Sequence, residues 1–398
     1  MVRGFPNHAL FLRGGHVVAL RPAQDLLALS DMHLSPAFYR DLLPGVPLVE
    51  SPFFSQAVEE MDLSPLEHDI AVQLHERGYA VLDFPDPLIG ERMDRIRQRL
   101  GPYFGIDFAD PAAIKNAAGT RLQDAWFYDE DVRAIAANAD VLALLSKLYG
   151  RQAFPFQTLN FPVGTQQAAH SDSVHFSSLP ERFMCGVWLA FEDIDVDAGP
   201  LLYYPASHKW PVASNAMLGR EGGGRQAQSA QAPFEPYWGA MIAATGCEKE
   251  VFLARKGQAL IWSANLLHGG SLQNDPTLTR WSQVTHYYFK DCVYYTPTFS
   301  DEPLGRLDIR TITNIATGNV EPSRYLGTMI EAQAPEEDME QAGWFQRRRS
   351  RREQRDLLPD DFNAEVYYRL NPDVALSGVD AGKHYLKHGV AEGRRYRF

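Results

Sequence analysis

The chain has 398 residues, 45% of them apolar and 22% charged, and a net charge of 38 − 50 = −12. That composition supplies a sizeable core and excludes global disorder. The acidic balance argues against a general nucleic-acid binder, which needs a basic face to neutralise phosphates, and the length fits two or three domains or one large β-rich domain with insertions.

Residues 1–63 mix Pro, aromatics and short apolar clusters without a clean period and read as an N-terminal extension. The first helix signal is Ser64-Pro65-Leu66-Glu67, a capping box with Pro in the first turn, followed by Leu66, Ile70 and Leu74 at helical spacing and Gly78 as a stop. A strand over 79–84 follows, then helices over 87–100 and 131–149. After Gly150 short apolar or alternating runs are separated by Gly, Pro and Asn, the texture of an all-β sandwich or barrel. Strands are predicted at 154–161, 183–191, 200–204, 250–254, 258–263 and 281–289. Residues 212–248 hold a glycine-rich stretch and read as one long insertion, the kind of segment that forms lids or substrate loops. An acidic cluster at 336–340 and an arginine cluster at 347–355 mark 326–355 as a solvated charged linker. Folded texture resumes over 356–398.

Cys185, Cys247 and Cys292 stand far apart with no C-x-x-C pair, the usage of free thiols in a reducing compartment. No apolar run reaches membrane-spanning length. The first twenty residues are interrupted by Arg3, His8, Arg13 and His16 and do not read as a signal peptide, so a cytoplasmic location is expected.

The chain contains one H-x-D triplet, His170-Ser171-Asp172. On a strand, positions i and i+2 share a face, so a short segment presents an imidazole and a carboxylate to one metal. A third ligand is expected at His268, which ends an apolar run and precedes Gly269-Gly270. Two histidines and a carboxylate on one face of an octahedron leave three positions open, the arrangement of oxygen-activating Fe(II) centres. A bidentate keto acid and O2 would fill them. Arg280 opens the next strand and offers a two-pronged salt bridge to the distal carboxylate of 2-oxoglutarate; Ser282 shares its face and adds a hydrogen bond. His175, His208 and His286 are rival ligands on composition, and spacing alone leaves an iron centre and a plain β domain equally open.

The flanking text narrows this. Segments QTLNFPVGTQQAAHSDSVHF (157–176), WLAFEDIDVDAGPLLYYPASHK (188–209) and 257–289 resemble the phytanoyl-CoA dioxygenase family of Fe(II)/2-oxoglutarate oxygenases over residues 65–320. Ala206 stands where the family usually has glycine, and Gln258 where it often has Asp. The resemblance implies a mainly β fold with flanking helices, a double-stranded β-helix (jelly-roll, cupin-like) core over 64–325. It also implies His170, Asp172 and His268 as iron ligands, Arg280 as the 2-oxoglutarate anchor, and Gln157 and Trp188 as lining of the co-substrate pocket. Relatives that halogenate replace the carboxylate with a small residue; Asp172 therefore points to hydroxylation of a small or carrier-linked substrate. Residues 356–398 resemble a small helical module found beside bacterial glycosyltransferases, with Tyr368, Val374, Tyr385 and Leu386 as its core. That likeness suggests glycan or secondary metabolism and a protein partner reached through the module. The alternative from another class is a non-catalytic jelly-roll binding protein tethered to a glycan-biosynthesis partner; a cupin-type enzyme with another metal and no keto acid is a third.

Overall fold

The computed structural model describes residues 9–11, 17–19, 35–115, 121–222, 230–330, 358–359, 362–376, 379–390, 392 and 394–397. Most of the expected charged linker and part of the glycine-rich stretch lie outside the described residues.

The first helix, α1 (Pro65–Arg77), starts on the expected capping box: Ser64 Oγ accepts from the Glu67 N–H and the Glu67 carboxylate accepts from the Ser64 N–H. Its buried stripe is Ile70, Ala71 and Leu74; Leu66, expected on that stripe, is 66% exposed because it sits in the first turn, beyond the reach of the sheet. Strand β1 (Tyr79–Asp83) and helix α2 (Ile89–Leu100) follow, with Met93, Ile96 and Leu100 buried. Strand β2 (Leu122–Gln123) comes next. The helix expected over 131–149 is two, α3 (Glu130–Ala136) and α4 (Ala139–Tyr149), because Asn138 caps a fresh start by accepting from the Val141 N–H.

The barrel is built from β3 (Ala153–Phe161), β4 (Ser177–Leu179), β5 (Met184–Ala190), β6 (Leu201–Tyr203), β7 (Glu250–Phe252), β8 (Gln258–Ser263), β9 (His268–Gly270), β10 (Ser282–Phe289) and β11 (Val293–Tyr295). The major sheet is antiparallel in the order β1-β8-β5-β10-β3-β2, faced by a minor sheet β9-β6-β7 and the pair β11-β4. This is a jelly-roll, double-stranded β-helix core with helices packed outside it. The 212–248 insertion is not all loop, since it carries helix α5 (Glu235–Thr245).

One face of the major sheet packs on α1–α4 through the largest hydrophobic cluster, which includes Ile96, Leu145, Phe154, Val187 and Tyr287. Val49, Phe54 and Met61 belong to that cluster too, so residues before Ser64 share the barrel's core. The other face forms the barrel interior around Trp188, Leu260, Trp262 and Val284. The C-terminal module has its own small core of Tyr367, Val374, Ala381 and Tyr385; Tyr367 rather than Tyr368 is its fully buried ring. Among the described residues no helix is long and apolar enough to cross a membrane.

Candidate metal centre

Strand register sets the floor of the site. Across the major sheet Trp262 (β8), Gly186 (β5), His286 (β10) and Gln157 (β3) lie on one rung. Two residues along, Leu260, Trp188, Val284 and Leu159 form the next. The period-2 alternation puts both rungs on the interior face. Gly186 is required here: a Cβ at that position would run into the Trp262 indole, which lies across the rung.

The triplet expected on a strand is only partly so. His170 forms a single antiparallel bridge with His268, the two backbones exchanging N–H···O bonds of 2.8 and 2.9 Å, and Asp172 then opens a 3-10 turn (Asp172–Val174). The bridge brings the two histidines together; the turn swings the carboxylate between them. Gly269 permits the approach, since a Cβ there would meet the Gln167 carbonyl oxygen at 2.7 Å. Asn265 and Ser171 pin the neighbouring turn through an Oγ–Oδ1 bond of 3.1 Å. Ala206, in the segment beside that turn, has φ +61°, a left-handed conformation that explains why glycine is usual there.

His170, Asp172 and His268 are all buried and each offers one ligand atom, all within 4.8 Å of one another. Nε2 of His170 and Nε2 of His268 each lie 3.8 Å from an Asp172 oxygen. Their Nδ1 atoms sit 2.9 and 3.0 Å from the carbonyls of Ala168 and Leu266, so Nδ1–H donates to backbone and both Nε2 lone pairs turn inward. Burial, aided by the neighbouring His268, lowers His170 to about 3, which keeps it neutral and able to ligate. Burial opposes the Asp172 charge, but His268, His286 and His170 outweigh it and hold the carboxyl below its usual range. A neutral His170 with its lone pair turned inward, His268 with Nε2 facing the same point, and an ionised carboxylate fit a divalent iron.

Two residues complete the centre, one that sequence reasoning did not name and one that it weighed only as a rival ligand. Trp262 Nε1–H donates to Asp172 Oδ2 at 2.8 Å. His286, a rival ligand on composition, has Nε2 3.6 Å from Asp172 Oδ2 and Nδ1 3.1 Å from Gln157 Oε1, so it supports the carboxylate from behind. Strand alternation could have found both, because they fall on the face shared with Leu260 and Val284. His208 lies elsewhere, against α1, with Nε2 3.1 Å from the His75 carbonyl.

A cavity of about 900 Å³ contains the triad. Arg280, Gln157 and Trp188 line it; Ser282 does not, although it is fully buried with an unpartnered Oγ. Arg280 is 2% exposed, pairs with no carboxylate among the described residues, and gives one bond, from Nη1 to the Gly199 carbonyl at 3.3 Å. Its Nε and the Trp188 Nε1 are buried donors without partners. Burial lowers Arg280 to about 10, still protonated at neutral pH. From the opposite direction His388, Glu392 and Arg394 of the C-terminal module line the same cavity.

Residues 74–275 match the family model Phytanoyl-CoA dioxygenase (PhyH), half of the chain. The chain belongs to the phytanoyl-CoA dioxygenase family. It is thus an Fe(II)- and 2-oxoglutarate-dependent oxygenase of that family, with a His170–Asp172–His268 facial triad. Among solved structures it is similar to the non-haem α-ketoglutarate-dependent epimerase SnoN from nogalamycin biosynthesis (17% identity, covering 58% of this chain and 86% of that one, TM-score 0.42). It is also similar to the carbocyclase SnoK of the same biosynthesis (15%, 61% and 90%, TM-score 0.44) and to EctD from S. alaskensis with bound Fe (17%, 57% and 77%, TM-score 0.42). A comparison with curated proteins finds no match.

Proposed function

We propose that this family member hydroxylates a small or carrier-linked molecule, with 2-oxoglutarate anchored by Arg280. Arg280 carries the reading. A guanidinium buried without a carboxylate is costly unless an anion completes it, and the distal carboxylate of 2-oxoglutarate is an anion of the right shape. Trp188 Nε1, beside the guanidinium (5.6 Å from Arg280 Cζ to the ring), offers a further donor, and Gln157 lines the same cavity.

His170, Asp172 and His268 would hold the iron. Bound iron and 2-oxoglutarate supply the oxidising chemistry that activates O2, with succinate and CO2 as by-products. This chain's residues do the rest. The backbone bonds at Nδ1 orient both imidazoles, Trp262 and His286 fix the Asp172 oxygens, and the apolar rung of Leu159, Val284, Trp188 and Leu260 keeps the inner wall dry. Asp172 occupies the position a halide would need, which supports hydroxylation. The free cysteines, two of them buried, accord with a reducing, cytoplasmic setting. A role in glycan or secondary metabolism, and a partner reached through the C-terminal module, belong to this proposal as well.

Anaerobic addition of Fe(II) and 2-oxoglutarate should give a weak visible charge-transfer band that Asp172→Ala abolishes. Arg280→Ala should raise the 2-oxoglutarate requirement roughly 100-fold, the loss of a two-pronged ion pair. Absence of the band would favour the binding-protein alternative. Succinate release unchanged by Arg280→Ala would favour a metal centre without a keto acid.

A further inference from the structure

The cavity follows the interior face of β10. Arg280 stands before the strand's first residue, and the triad lies over the His286 rung. Beyond His286 comes Phe176, 5.1 Å from the His286 ring, and Arg310 packs over Phe176 with Cζ 4.9 Å from its centroid. Arg310 is therefore at the end of the cavity opposite Arg280.

Arg310 is half-buried. Its Nη1 donates to the His175 carbonyl at 3.5 Å and to Thr296 Oγ1 at 3.3 Å, and its Nε is buried with no partner. Arg121 lines the same cavity and has no hydrogen bond or ion pair with another described residue. Both guanidiniums act electrostatically on His175, whose ring lies 6.1 Å from His170: poor solvation lowers His175 to about 4, Asp172 opposes, and Arg121 and Arg310 add to the depression. Neutralising groups are scarce. Asp124, near Arg121, is itself pushed up to about 7 by burial. Glu392 is held by Arg394 at 2.6 Å. Two positive groups thus line a concave space in which no described carboxylate forms an ion pair with either, and an anion bound there would gain more than at an open surface.

We infer that Arg121 and Arg310 form a second anion site, across the triad from Arg280, that takes a phosphate or carboxylate group of the oxidised substrate. The inference rests on the oxygenase reading for the meaning of that group as substrate; the site itself stands on the geometry. An anion held there lies next to His175 and His170, so it would anchor one end of a molecule whose other end meets the metal. The module's His388, Glu392 and Arg394 form the outer wall of the same space.

The test is calorimetric titration of the full-length protein, loaded anaerobically with Fe(II) and 2-oxoglutarate so that Arg280 is occupied. The probes are phenyl phosphate, benzoate and neutral benzamide. One or both anions should bind saturably at one per chain, at least tenfold more tightly than benzamide. Arg121→Gln and Arg310→Gln should each weaken anion binding at least tenfold while the charge-transfer band persists. Tighter phenyl phosphate would identify a phosphoryl group, and tighter benzoate a carboxylate; both support the site. Equal binding of all three probes, no anion binding, or anion binding unchanged in both variants overturns it. So does loss confined to Arg280→Gln, which would place the anion in the co-substrate pocket. Should Arg310→Gln fail to fold, exposed Arg121 still decides. A missing charge-transfer band with intact, arginine-dependent anion binding would sink the oxygenase reading and leave this site standing.

Discussion

At the scale of single residues, the centre depends on a contact the ligand set does not include. The Trp262 indole N–H reaches Asp172 Oδ2 at 2.8 Å, in the same interior row as His286. One carboxylate oxygen is thereby fixed, and the other is left to turn toward metal. Trp262→Phe keeps the apolar bulk but removes that donor. Metal affinity should fall about tenfold, as expected when an outer hydrogen bond to a ligand is lost. Titrating Fe(II) against the charge-transfer band at saturating 2-oxoglutarate measures this; an unchanged affinity would show that His286 alone suffices. The triad was legible in the sequence from the H-x-D triplet and the His268-glycine position only together with the family resemblance of the flanking segments, since spacing alone left a plain β domain equally open. Trp262 was not singled out, and His286 was weighed only as a rival ligand, since either is equally at home as a packed core ring. Only the register that aligns them with Gly186 and Gln157 reveals the contact.

At the scale of elements, helix α2 shows how charge rather than apolar area can lock a layer. Its apolar stripe faces the core, while Arg92, Arg95 and Arg99 converge on Asp131, and Arg99 also grips Asp129. Asp129 caps α3 by accepting from the Asp131 and Val132 N–H groups, so one cluster ties the start of α3 to the flank of α2. Hydrogen bonding to Arg95, then to Arg99 and Arg92, drives the buried Asp131 carboxyl well below its usual range, against a desolvation cost. A folded pKa below the unfolded one gives stability that is present above pH ~4 and disappears as pH falls through the folded value. Asp131→Asn should therefore cost about 2–4 kcal/mol at pH 7, the loss on breaking a buried pair, with the gap narrowing steadily below pH ~4. Urea unfolding at pH 7 and pH 3 tests it; a gap equal at both pH values would rule out the ion cluster as the cause. Periodicity exposed α2's apolar face but could not pair its arginines with residues 30 or more positions away. Helix α5 escaped the reading for another reason: EPYWGAMIAAT has one buried residue, Trp238, and hence no amphipathic rhythm.

At the scale of the whole molecule, the C-terminal module is a wall of the cavity and not a part of the barrel's core. Among the described residues, the barrel's hydrophobic clusters hold none past Ile315, and the module's own begins at Leu358. Polar contacts join the two: the Arg395 guanidinium reaches the Tyr103 carbonyl, and the Asp373–Arg394 pair (2.6 Å) lies close enough to Asp124 to influence it electrostatically. A core of four buried residues is too small to be stable by itself, so the module draws its order from the barrel while the barrel owes it little. A chain ending at residue 357 should keep the Fe(II)/2-oxoglutarate band, and its main thermal transition should move by no more than about 3 °C, the shift of a sub-kilocalorie change in a chain this large. Hydrogen exchange should rise at 101–105 and 121–124, where the module's Arg395 and Arg394 approach, and stay unchanged along β8 and β10. If the band disappears or the main transition collapses, the module is structural. If exchange at 121–124 does not rise, it does not close this side of the cavity. The expected pattern would separate two duties within one chain, oxidation on the sheets and enclosure of the substrate's outer end by the tail.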